Sequence, residues 1–492
     1  MRAVTFYFIL LFYVFYARTH SLFAYGCLCT FYCCLLFVVL DLFYFYFLVY
    51  TPRQLREEAS FNMSSQKAHQ PLFVLKQHSS AVMTCAMDEQ KVFPRLLLSG
   101  DGDGVVKLWD LELRAPLLSF HAVNRASLDA ETNNQNKESP VFLVSSGVMK
   151  VGFLTFQGLA ATAGEKGENV LFYTQCRNQH VHIWRVVLEC DDDDDFEELQ
   201  SNNAGGTSLE LLHKISVPQH GFCTVPCAAI SCSELQLAIP HDNDGMISLW
   251  SIGLVDKSGK NWEGLRVTCK KTFSASGLGT KCGTIMCINY RDGTHIALAF
   301  ESGHLTLNNV CGERLAIIRA FSETALTCVW SGNMLLASSA DGQLHCYAVV
   351  SEKKEALDNP TSEADVVLTL VVQWEASLRK GLGSVALQRH LAVVGSWDHT
   401  MRLYDEGSGR VVSILTFHSG PVNDIALVPA SLAQYASFGF DVRRPRWCSA
   451  KASKIKQEED SVYLFASASG DFTIAVWRLD FKMLRATGVS AI

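Results

Sequence analysis

Seven times along this 492-residue chain a polar residue stands six positions ahead of an aromatic or its stand-in, with β-branched and apolar residues in between. The clearest copies run from Asp103 to Trp109 (DGVVKLW), Asp244 to Trp250 (DGMISLW) and Asp471 to Trp477 (DFTIAVW). Asp398 to Tyr404 (DHTMRLY) and Asp341 to Tyr347 (DGQLHCY) keep the spacing. Asn178 to Trp184 (NQHVHIW) is weaker, and Ser302 to Asn308 (SGHLTLN) is a decayed copy. An Asp-Gly type pair makes a tight hairpin turn, and the alternating run after it reads as a strand with one buried face. One hairpin cannot bury that face alone, so a recurring unit of this length must stack on its neighbours. The chain is therefore expected to be all-β and built of stacked repeats.

The repeat resembles the WD40 blade, a four-stranded antiparallel sheet, and seven such blades close a ring. That resemblance implies a buried network in which a His ahead of the first strand meets the turn Asp, and a strand-two hydroxyl links the His to the Trp. The last copy supplies the whole set as His418, Ser469, Asp471 and Trp477. Asp103, Trp109, Asp244, Trp250, Asp398 and Tyr404 are assigned the same structural duty. A repeated feature that satisfies a fold is a poor candidate for chemistry. The expected fold is thus a seven-bladed WD40 β-propeller. Little chain follows Trp477, so the apolar strand Leu72–Leu75 is expected to supply the outer strand of the last blade and close the ring.

Residues 63–481 are assigned to the propeller and 482–492 to a C-terminal tail. Blade four is placed from about 266 and blade six from about 366, each just ahead of its own motif. Polar insertions are expected at 122–140, 190–206, 351–365 and 430–460. The second carries Asp191–Asp195 with Glu197 and Glu198, and the fourth has six Lys and Arg between 441 and 457. By WD40 geometry both lie on the face opposite the Asp turns. Charge runs of this kind read first as solvated loops.

Residues 1–62 have no place in this ring. Of the first 50 residues, 31 are Phe, Tyr, Leu or Cys, and only Arg2, Arg18 and Asp41 are charged. The stretch 21–50 is long enough to cross a bilayer. Its Phe and Tyr are unaccompanied by Trp, which membrane-interface belts use freely. Its favoured residues also have pyrimidine-rich codons, so translation of a leader with the start at Met63 is the preferred reading and a membrane anchor the alternative. The net charge of −7 gives no reason to expect direct nucleic-acid binding. The 17 cysteines lack CxxC pairing, which suits reduced thiols and makes metal binding unexpected.

Several segments are more particular than the generic repeat. PLFVLKQHSSAV (71–82), FYTQCRNQHVHIW (172–184), HGFCTV (220–225), LAIPHDND (237–244), GTIMCI (283–288) and LAVVGSWDHTMRLYDEGSGRVVSILTFHSGPVNDIAL (391–427) follow in order. Together they resemble the G-protein β-subunit-like protein 1 family, known in fungi as ASTRA-associated protein 1. The resemblance implies a non-enzymatic scaffold, a monomer within a large multi-subunit protein complex. It further implies the ASTRA assembly, the co-chaperone machinery that matures phosphatidylinositol-3-kinase-related kinases, chromatin regulation, and a nuclear or cytoplasmic location. The alternative is a membrane-tethered WD40 adaptor in trafficking or signalling, anchored through 21–50. No GxSxG, P-loop or HExxH occurs, so no catalytic residue, cofactor or metal is assigned. Arg177, Trp397 and His399 flank Asp-type turns on the face where WD40 partners often dock, and they are the candidate partner-binding residues. For Trp397 the competing role is packing over the adjacent blade.

Overall fold

The computed structural model describes residues 70–88, 90, 92–123, 147–156, 168–188, 207–218, 221–242, 245–255, 264–275, 281–353, 366–429 and 462–480. The leader, most of the four insertions, the tail and Asp244 lie outside them. Described residues form seven four-stranded antiparallel sheets and no helix. No helix among them is long and apolar enough to cross a membrane.

Blade one is Val82–Met87, Leu96–Asp101, Val105–Asp110 and Ala115–His121. Blade two is Val148–Phe153, Glu168–Cys176, His180–Leu188 and Ser208–Ser216. Blade three comprises Cys227–Ser231, Glu234–Pro240, Met246–Leu254 and Leu265–Ser274, and blade four Ile285–Asp292, His295–Phe300, His304–Asn309 and Arg314–Arg319. Ala325–Ser331, Met334–Ser339, Gln343–Lys353 and Val366–Ser377 make blade five. Leu382–Gln388, Leu391–Ser396, Met401–Asp405 and Val411–Leu415 make blade six. Blade seven takes Val422–Pro429, Val462–Ser469 and Ile474–Asp480, with Phe73–Leu75 as its fourth strand.

Two strand assignments differ from the sequence reading. Leu265–Ser274 completes blade three and Val366–Ser377 completes blade five, whereas the repeats had placed both in the blades that follow. An insertion inside the last hairpin of each blade separates the strand from its partner in sequence, and backbone pairing across it overrides proximity to the next motif.

One apolar core sits between each pair of successive blades. Leu98, Val106, Val151 and Phe172 join blades one and two. Leu97, Trp109, Ala466 and Val476 join blade one to blade seven, completing the ring. The alternation read from the sequence serves these two-sided interfaces, since each inner sheet face meets a neighbouring blade. Phe73 pairs with Val476 and Leu75 with Ile474, and the Leu72 amide donates to the Val476 carbonyl at 2.7 Å.

A β-bulge recurs where the third strand meets the fourth, at Trp109, Trp184, Trp250, Asn308, Tyr347 and Tyr404. Asn308 therefore occupies the aromatic position of blade four in backbone as well as in spacing. The antiparallel order puts every second-to-third-strand turn on the same face as the loops that join successive blades. That face is called upper below. The chain leaves Pro429 and returns at Val462 on the lower face, and so do the ends flanking the acidic run, Leu188 and Ser208.

Candidate functional site

The upper face is built on one repeated backbone device. The residue five positions ahead of each aromatic position takes a positive φ: Gly104, Gln179, Gly245, Gly303, Gly342, His399 and Phe472. Glycine enters this region freely, while an L side chain there costs about 1–2 kcal/mol. Blades two, six and seven carry that cost at φ values of 65°, 72° and 68°. The turns are tied to the loops ahead of each first strand. The Gly102 amide donates to Ala81, Arg177 to Gly147, Trp397 to Gly381 and Gly470 to Pro421, at 2.8–3.1 Å.

Beneath this face lie the polar networks. In blade seven the His418 ring contacts Asp471 Oδ2 through Nδ1 at 3.0 Å and Ser467 Oγ through Nε2 at 2.8 Å. Trp477 Nε1 donates to the same Ser467 Oγ at 2.9 Å. The hydroxyl that links His to Trp is thus Ser467 and not Ser469, whose Oγ instead donates to the Gly420 carbonyl at 3.1 Å. The reason is register: Ser467 pairs with Ala475, on the sheet face that also carries Trp477.

Blade one repeats the arrangement with unanticipated members. His78 contacts Asp101 Oδ2 at 2.9 Å and Ser99 Oγ at 2.7 Å, and Trp109 Nε1 donates to Ser99 at 2.7 Å. Asp103, proposed from the spacing, stays exposed in the turn, and its amide donates to Asp101 Oδ1 at 3.1 Å. Burial alone would raise the Asp101 carboxyl, but the His78 ring and the Val105 and Asp103 amides outweigh it and hold Asp101 below the usual range. Asp471 is lowered in the same way, burial being outweighed by Thr473, His418 and the Ser419 amide.

The other blades satisfy the same position differently. Trp184 donates to Thr174 at 3.0 Å. In blade three Trp250 and His241 share Ser248 Oγ at 3.2 and 2.9 Å. Tyr404 is covered by Trp374 from blade five, ring centroids 5.6 Å apart and nearly parallel. Asp398 accepts from Thr400 Oγ1 at 2.6 Å and from Arg402 Nη1 at 3.1 Å. Burial, which would raise that carboxyl, is again outweighed and its pKa is lowered.

Of the candidate partner residues, Trp397 and His399 share the blade-six turn and are both exposed. Arg177 is exposed on blade two, in another sector of the ring. Of the two roles weighed for Trp397, packing over the adjacent blade is replaced by packing against its own. Its indole lies on two glycines of its own blade, so close that a Cβ on Gly381 would come within 2.5 Å of the ring and one on Gly383 within 2.7 Å of Nε1. The side chain remains 42% exposed. The sequence reading missed three further upper-face rings, Phe222, Phe417 and Phe472. For Phe472 the signal was present, since Phe stands where DGV and DGM put glycine.

The WD domain, G-beta repeat family model matches residues 69–110, which is the first blade and the strand ahead of it. With the seven-sheet ring this defines the class: a WD40-type β-propeller. Among characterised proteins the chain is similar to ASTRA-associated protein 1 of Penicillium rubens, 20% identical over 390 residues that cover 72% of this chain and 80% of the relative. It is similarly related to ASTRA-associated protein 1 of Aspergillus niger, at 19% over 393 residues, covering 71% and 78%. Among solved structures, Saccharomyces cerevisiae Sqt1 covers 84% of this chain and 99% of its own at 10% identity and a TM-score of 0.49.

Proposed function

We propose that the protein is a non-enzymatic scaffold that works as ASTRA-associated protein 1 does, as a subunit within a large protein assembly. The observation that carries this reading is the similarity to two fungal proteins of that name over 72% and 71% of this chain. The upper face of blades six and seven supports it, because its buried His418 and Ser467 are spent on holding blade seven together and exposed aromatic rings remain at Trp397 and Phe472, as in protein-binding surfaces. Partner contact is assigned to Trp397 and His399, with Arg177 as a separate point on blade two. The assembly would be the one that supports phosphatidylinositol-3-kinase-related kinases, in nucleus or cytoplasm. Affinity purification of the tagged chain from its own cells, followed by mass spectrometry, tests the reading. Recovery of such kinases with their co-chaperones is expected; recovery of vesicle or coat proteins in their place would overturn it.

A further inference from the structure

Exposed rings are segregated on this molecule. Among the described residues every exposed Phe or Trp lies on the upper face: Phe222, Trp397, Phe417 and Phe472, at 71, 42, 36 and 47%. Large exposed apolar residues of the lower face and blade edges, such as Leu113, Val255 and Val371, are all aliphatic. Three of the four rings fall on adjacent blades six and seven. Trp397 stands in the turn of blade six, Phe472 in the turn of blade seven, and Phe417 in the loop between those blades. The ground between them is continuous, because Gly383 under the Trp397 indole backs on the Val422 carbonyl, and Gly470 beside Phe472 packs on Pro421. Phe417 rests edge-on against Trp477, centroids 6.0 Å apart. Two positions in this sector, His399 and Phe472, hold side chains on backbone that four blades assign to glycine. Strain retained at exposed side chains points to use rather than to folding.

Charge in the same sector is opposite in sign to that of the whole chain. Its loops and turns carry Arg379, Lys380 and Lys76, the last in the loop from blade seven to blade one, against Asp398 and Asp471, a balance of 3 − 2 = +1 in a chain of −7. Both carboxylates are already engaged, Asp398 by Arg402 and Thr400 and Asp471 by His418 and the Ser419 amide. Arg379 and Lys380 are exposed immediately ahead of Gly381, on which Trp397 lies.

We infer that the upper face of blades six and seven is a docking surface for an acidic peptide segment carrying apolar anchor residues. This rests on the scaffold reading above and gives the partner a chemistry. The rings receive the anchors, and Arg379, Lys380 and Lys76 meet the partner's carboxylates. Rings that are rigid and partly exposed make efficient anchors, while the cations set orientation and rate of encounter.

Phe472→Gly offers an unusually clean test, since it removes the ring and installs the residue the backbone prefers, so folding is preserved or improved. A phage-displayed library of random twelve-residue peptides would be selected in parallel on the full chain and on its Phe472→Gly/Trp397→Ala variant. The wild type should enrich peptides combining Asp or Glu with Leu, Phe or Trp. A synthetic peptide of the enriched sequence should bind the variant at least about tenfold more weakly, and an Arg379→Glu/Lys380→Glu variant should lose a comparable amount. Enrichment of basic peptides, absence of enrichment, or equal binding to wild type and variant would each overturn the assignment. So would sedimentation showing a wild-type dimer that Phe472→Gly dissolves, because the occupant would then be a second copy. The same two chains used in the affinity purification separate the claims. Kinase machinery recovered equally by both leaves the scaffold reading standing and removes this surface, whereas peptide binding without that machinery does the reverse.

Discussion

At the scale of single residues, the spacing that announces the repeat and the side chains that hold it together are different things. Asp103 keeps the spacing to Trp109 that Asp471 keeps to Trp477, yet the carboxylate in contact with His78 belongs to Asp101, which with His78 is fully shielded from solvent. Spacing along the chain cannot choose between two aspartates two residues apart: blade one carries Asp at both positions, whereas blade seven has Ser469 at the first and only Asp471 at the second. Asp101→Asn should therefore destabilise the protein by about 2 kcal/mol, because a buried donor loses a charged acceptor. Asp103→Asn should stay within about 0.5 kcal/mol, as surface changes do. Urea unfolding of both variants checks this, and equal losses would restore the reading from spacing. A second residue invisible in the sequence is His182, buried with Nδ1 unpartnered. Burial, then the charges of His180 and Lys214, push its pKa down to about 4. The unfolded chain, with its His near the ordinary value of about 6.5, binds that proton first as pH falls. The contribution of His182 is thus fully present above about pH 6.5 and lost towards pH 4, up to about 3 kcal/mol. His182→Leu should flatten the acid limb of stability against pH by that amount, and a slope unchanged from wild type would show that another group is responsible.

At the scale of strands and blades, the third strands and their turns were legible because they combine a period-two pattern with a fixed turn residue. Fourth strands were much less so. Leu265–Ser274 and Val366–Ser377 are separated from their partners by insertions and are largely exposed on one side, so neither turn chemistry nor a strong apolar pattern marks their owner. Blade four shows what the pattern can lose without losing the element. Asn308 fills the aromatic site wholly buried, its Nδ2 donating to the Ala275 carbonyl at 3.3 Å, and the bulge persists. Phe222 and Phe417 were hidden for the opposite reason: nothing in the alternation distinguishes a Phe that stays exposed in a loop. The N-terminal strand was legible through a deficit, a last blade one strand short. Its role in stability can be measured by comparing a chain that begins at Met63 with one that begins at Lys76. The second lacks Phe73–Leu75 but keeps His78, so the blade-one network is not lost with it. Phe73 and Leu75 are 9% and 2% exposed, and exposing two such side chains costs about 3–6 kcal/mol. The shorter chain should melt well below the longer one; coincident melting curves would mean that the pairing with Val476 contributes nothing to closure.

At the scale of the ring, its seam between blades seven and one is joined at three radial depths. Outermost is the pairing of Phe73–Leu75 with the last strand, and in the middle is the apolar core of Leu97, Trp109, Ala466 and Val476. Innermost is a polar junction on the first strands. Asp424 Oδ2 of blade seven accepts from Thr84 Oγ1 of blade one at 2.8 Å, from the Cys85 amide at 3.2 Å and from Lys150 Nζ of blade two at 2.8 Å. Thr84, Lys150 and Asp424 occupy one equivalent position, each just after the bulge that opens its first strand, so the local geometry of the repeat brings them together. Seven near-identical blades specify an open arc as readily as a closed ring, and specificity for closure has to come from positions where the copies differ. A carboxylate found only in the last blade, facing a hydroxyl and an ammonium in the first two, is such a difference. Replacing a paired charge costs more than the pair contributes, because its partner is left uncompensated. Asp424→Ala should then destabilise by about 1–3 kcal/mol, the range being set by the partial solvent access of both side chains. Adding Lys150→Met should recover much of that loss while leaving the Thr84 bond unmade. Urea midpoints for the two single variants and the double variant decide the matter: if Lys150→Met fails to relieve Asp424→Ala, the ammonium and carboxylate are neighbours without being coupled, and the inner junction rests on the Thr84 and Cys85 bonds alone.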